Sequence, residues 1–167
     1  MRSPEERSLA LKERIYASFT GLAIVASLAI AGGHGTAWRA FFALAAGIIG
    51  ITAAAFVAEV VAVQLSEKAL PSRSRMLPMI RIAVGAIATA SLPLVLLLGA
   101  GLGLLDLPMA LQLSIGIYFV ILTAILFVAA HRTGLPWRQR LIALAVLIGL
   151  GVIVILILIV GHSAGHI

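Results

Sequence analysis

Long apolar runs recur five times along the chain, over about residues 15–31, 37–65, 82–105, 109–130 and 141–160. Short stretches rich in Gly, Pro, Asp, Lys and Arg separate them. At 1.5 Å per residue, helices of this length cross a hydrocarbon layer roughly 30 Å thick. No strand-like alternation competes with this pattern. In lipid a helix satisfies its backbone hydrogen bonds internally, which an open sheet edge does not. The pattern therefore predicts an all-α integral membrane bundle of five transmembrane helices spanning 15–161. Residues 1–14 precede it as a short cytoplasmic helix, and 162–167 follow as an external tail.

The polar positions sharpen this picture. Ser3, Pro4 and Glu6 form a helix start, with Ser as N-cap, Pro at the first helical position and Glu three residues after the cap. Ala29-Ile30-Ala31 also fits a signal-peptidase site. Glu5, Glu6 and Glu13 in the leader, and an apolar run longer than a signal core, oppose cleavage. Gly32 to Thr36 forms a flexible turn, and Trp38, Phe41 and Phe42 form an interfacial aromatic anchor. Pro71 and Pro78 break a basic connector over 66–80. Pro93, mid-span, predicts a kink that opens space opposite Glu59, and Asp106-Leu107-Pro108 a minimal turn.

Charge adds orientation. The N-terminal segment carries four Lys or Arg, the connector through Arg81 four and the 131–140 connector three. The 32–39 turn carries one, and the 106–108 turn and the tail none. Eleven against one, alternating over five spans, places the N-terminus in the cytoplasm and the C-terminus outside an inner (plasma) membrane. Reporter fusions after residues 35, 107 and 167 are expected to read outside, and those after 75 and 135 inside. One reversed internal loop breaks this topology.

Composition agrees: the 167 residues are 62% hydrophobic and 11% charged. The net charge of +6 belongs to loops that meet lipid headgroups, and nucleic acid is not an expected partner. With no cysteines, disulfides and thiolate chemistry are excluded. No nucleophile–base pairing, phosphate loop or haem-type histidine pair is visible in the spans, so neither an enzyme nor a cofactor is expected.

Glu59 is the exception to the apolar pattern, an acid inside the second span and a candidate ion or proton site by its depth. Thr52, Ala55, Ala62 and Ser66 share its helical face, with Thr52 and Ser66 the polar members of the candidate site. Two readings stand: Glu59 handles a proton or cation, or it reaches the cytoplasmic interface and pairs with a base such as Arg81 or Arg14. His131 and Arg132 close the fourth span, where a helix dipole favours them. His34, His162 and His166 lie outside, and only the last two have ligand-like spacing. Gly85 and Thr89, then Gln112, Gly116, Phe119 and Thr123, and finally Ala145 and Gly149 line faces of later spans. With Pro93, Gly85, Gly116 and Gly149 are candidate helix-packing or kink positions, pointing to a homo-oligomer (dimer) or other membrane subunits as partners beside the bilayer.

Five spans with a cytoplasmic N-terminus and a basic connector after the second resemble the vacuolar iron transporter family. Residues 47–67 (GIIGITAAAFVAEVVAVQLSE) are similar to that family's second helix, rich in small residues with a membrane Glu followed by Ser, Gln and Glu. The resemblance implies a transport scaffold with Glu59 in the ion pathway. The chain departs from the family in lacking an Asp-Gly motif between Tyr16 and Ala31 and a methionine between Arg39 and Ser66. Its connector holds only Glu67 in place of an acidic domain. One carboxylate is too few for a dehydrated divalent cation, so the resemblance implies a scaffold with altered or lost iron chemistry.

Overall fold

The computed structural model describes residues 4–31, 35–68, 72–132 and 137–139, together with positions 141, 142, 145, 146 and 149. The fifth predicted span, 141–160, and the tail at 162–167 otherwise lie outside the described residues.

The structure is all-α. Helix α1 spans Pro4–Ile30, α2 Ala37–Glu67, α3 Arg73–Ile87, α4 Ser91–Gly101 and α5 Leu107–Arg132, with a 3₁₀ turn at Ala88–Ala90 joining α3 to α4. Among the described residues four segments are long and apolar enough to cross a membrane: Glu6–Ile30, Ala37–Ser66, Arg73–Gly101 and Leu107–Ala129. The polar N-terminal residues and the first apolar run form one uninterrupted helix, because no Gly or Pro lies between Pro4 and Thr20 to break it.

Each helix end has a local cause. Thr36 caps α2 with extended backbone, its hydroxyl accepting the Arg39 N–H at 3.3 Å. Lys68 closes α2 in the left-handed region at φ 52°. Gly103, at φ 76°, ends α4 in a double-bonded glycine cap. The Leu104 N–H donates to the Gly99 carbonyl at 2.9 Å, and the Gly103 N–H to the Ala100 carbonyl at 3.1 Å. This cap turns the chain sharply enough for α5 to begin at Leu107, two residues before the predicted span.

Two expectations about the third span are corrected. The helix begins at Arg73 rather than near 82, and Pro78 lies inside α3 instead of breaking the connector. Pro78 sits within the first two turns, where the missing N–H removes one bond and the exposed residues before it leave room for the ring. Where a kink is expected at Pro93, the span is interrupted by the 3₁₀ turn just before it. A proline ring crowds the carbonyl four residues earlier, here Thr89. The Thr89 hydroxyl donates to the Ala86 carbonyl at 2.7 Å and the Ser91 hydroxyl to the Ala88 carbonyl at 2.8 Å, binding carbonyls around the break.

Helix α1 is the hub and packs against α2, α3 and α5, while α2 and α5 flank α4. The core holds Leu22 and Val25 of α1, Leu44 and Ile48 of α2, Leu97 of α4, and Leu111, Tyr118 and Leu122 of α5. Large apolar side chains also face outward, among them Phe42, Ile49, Val57, Leu65, Val120 and Phe127. Water would penalise such a surface, whereas lipid solvates it. At the end away from the basic connector, Trp38 stacks on Phe42 at 6.2 Å and meets Phe41 edge-on at 6.1 Å. The indole also lies over Gly101, where a Cβ would sit 3.1 Å from the ring, so α2 starts against the end of α4.

Candidate functional site

Residues near the basic end of α1, α2 and α3 enclose a cleft. Leu9 and Glu13 of α1, Thr52, Ala55, Phe56 and Glu59 of α2, and Met79, Ile82 and Ala83 of α3 line it. Helix register explains why the two acids meet. Glu13 lies nine residues after Pro4, the start of α1, and Glu59 nine residues before Lys68, the cap of α2. In antiparallel helices both carboxylates therefore sit about 13 Å along from the same end.

The cleft has a volume of about 40 Å³. A water needs roughly 10–15 Å³ on this measure, so there is space for about three or four waters. Apart from the two acids and the Thr52 hydroxyl, the lining side chains are apolar, and no basic residue is among them. The cleft thus presents two carboxylates and one hydroxyl in an otherwise apolar wall.

Of the face expected around Glu59, Thr52 and Ala55 reach the cleft. Ala62 and Ser66 are exposed beyond it, and the Ser66 hydroxyl donates back to the Val63 carbonyl at 3.0 Å. Among the described residues Arg14 and Arg81, the suggested partners of Glu59, are placed elsewhere. The Arg14 guanidinium lies over Gly85, where a Cβ would sit 3.3 Å from it, and Arg81 borders a smaller cavity with Glu6. The cleft uses α3 up to Ala83, ten residues before Pro93, so the part of span 3 beside Glu59 precedes the 3₁₀ turn.

Gln112, Gly116 and Thr123 face outward, and open space surrounds the position of a Cβ at Gly116. Phe119 packs against the core. Open space also surrounds the Cβ position at Gly149 among the described residues. His131 meets Phe127 edge-on at 5.8 Å on the exposed end of α5. His34, His162 and His166 lie outside the described residues, among which no group of three acidic, His or Cys side chains is placed to hold a metal.

Sequence reasoning missed Glu13, which it assigned to a separate polar segment, and Met79, which it assigned to the connector. A signal for Glu13 was present: Leu9, Glu13, Ala17 and Gly21 recur every four residues on one face of a helix with no breaker. Ala17 and Gly21 are buried, so the face that carries Glu13 continues into the core.

The chain matches no family model, no curated protein and no solved structure. What is shown is a multi-helix protein with four candidate membrane spans among the described residues, and no comparison identifies the vacuolar iron transporter family.

Proposed function

We propose that this multi-span membrane protein takes up a proton or small cation in the cleft between α1, α2 and α3, with Glu59 and Glu13 as the binding carboxylates. One observation carries the reading: two acids from different helices line one small cleft without a basic residue in its wall. A lone carboxylate at that depth reaches for the interface, whereas two that share a cavity raise the affinity for positive charge. The basic end of the bundle is the cytoplasmic side under this proposal, so the cleft loads from the cytoplasm. The scaffold follows the general plan of the vacuolar iron transporters, with a different donor set. The test is flux of protons, Fe²⁺, Mn²⁺ and K⁺ into proteoliposomes containing the purified protein. Flux of one of them supports the proposal, and no flux of any of the four sinks it.

A second reading, an accessory or scaffold subunit without transport, is favoured by the outer face of α2. Ala46, Gly50, Ala54, Ala58 and Ala62 recur every four residues there, and all are exposed. Small residues at this spacing let another membrane helix approach closely, from a second copy or a different subunit. Absence of flux together with a stable co-purifying membrane subunit decides for this reading.

A further inference from the structure

We propose that the bundle contains a buried hydration site, formed by Ser18, Thr52 and Tyr118 and continuous with the two-carboxylate cleft. Each of the three residues is at least nine-tenths buried, and the hydroxyl of each lacks a hydrogen-bond partner. Four other helical hydroxyls, those of Ser66, Thr89, Ser91 and the buried Ser114, donate to a carbonyl three or four residues earlier. Ser18 and Thr52 are positioned for the same bond and do not make it, leaving their hydroxyls available to another partner.

The three groups lie at similar depths in the bundle. Counting inward from the carboxylates, Ser18 is five residues beyond Glu13 and Thr52 seven residues before Glu59, about 7 and 10 Å deeper. Tyr118 of α5 reaches α1 at Gly21, where its hydroxyl occupies the space a Cβ would need. Gly21 is eight residues beyond Glu13, about 12 Å deeper, and one helical turn from Ser18. Three orphan hydroxyls from three helices thus lie within about 5 Å of one another in depth along the bundle, and Thr52 also lines the cleft. Unsatisfied buried polar groups are rare, and inside a membrane bundle ordered water is the partner that meets them. Water at this depth extends the cleft from the carboxylates toward the bundle centre and supplies a medium along which a proton moves. The inference rests on the cleft being open to water, and not on which ion the cleft carries.

Radiolytic hydroxyl-radical labelling tests it, because bound water labels side chains that bulk solvent does not reach. The chain has two tyrosines, and exposed Tyr16 serves as the internal standard for buried Tyr118. Labelling of Tyr118 within several-fold of Tyr16 is expected, with a large loss in Thr52→Val. An unlabelled Tyr118 beside a labelled Tyr16 overturns the hydration site, and unchanged Tyr118 labelling in Thr52→Val overturns its connection to the cleft. The melting temperature of Tyr118→Phe in detergent provides a second readout. It falls if the hydroxyl is hydrated and rises if the hydroxyl is buried dry, since Phe then removes an unsatisfied group.

Discussion

Glu59→Gln is expected to abolish flux in proteoliposomes while leaving the bundle folded. Gln keeps the shape and hydrogen-bonding reach of Glu but cannot release a proton or neutralise a cation. An amide is also less unfavourable in the membrane than a carboxylate, so stability is expected to hold or rise. Glu13→Gln separates a paired site from a single one. If both acids hold the ion, this substitution lowers flux by an order of magnitude or more, corresponding to about 1.4 kcal/mol or above. If Glu59 acts alone, Glu13→Gln behaves as wild type. Flux at each pH, alongside melting temperature in detergent, makes the comparison. Unchanged flux in Glu59→Gln moves the account to the scaffold reading.

Gly21→Ala is expected to be among the most destabilising single-methyl additions in the chain. A Cβ at Gly21 would overlap the ring and hydroxyl of Tyr118. Tyr118 is wholly buried among core residues. Overpacking of this kind costs about 1–3 kcal/mol, and more where neither backbone moves. The contact joins α1 to α5, so the substitution pries the hub helix from one of its main packing partners. Gly116→Ala on α5 is the matched control, because its Cβ enters open space. Thermal unfolding in detergent is expected to separate the two clearly, with Gly116→Ala near wild type. Tyr118→Leu combined with Gly21→Ala is expected to recover part of the loss.

The helices were legible in the sequence because lipid imposes one strong rule, that a spanning segment be long, apolar and internally bonded. Helices α2 and α5 begin and end within a few residues of the runs expected at 37–65 and 109–130, whereas α1 begins eleven residues before the run expected at 15–31. The start of α3 was not, because Pro78 reads as a breaker when position within the helix is unknown. In the first turns a proline is tolerated, and only the structure shows that the helix begins at Arg73. Glu59 stood out because it interrupts an apolar run. Glu13 did not, since it lies in a polar segment where acids are ordinary. Its importance comes from the pairing of α1 with α2, a tertiary fact that no local pattern contains. The same holds for Met79 and for the three orphan hydroxyls, whose similar depth depends on helix register.

Joint placement of Glu13 and Glu59 in one cleft is the claim on which the functional account depends. The chain has no native cysteine, so a double variant, Glu13→Cys with Glu59→Cys, carries the only two thiols. Treatment with a short bifunctional thiol reagent, followed by protease cleavage between the two positions, reports whether they meet. The account predicts that the two fragments stay covalently joined, and that a control pairing Glu13→Cys with outward-facing Val57→Cys gives fragments that separate. Separated fragments from the Glu13→Cys, Glu59→Cys protein would contradict it.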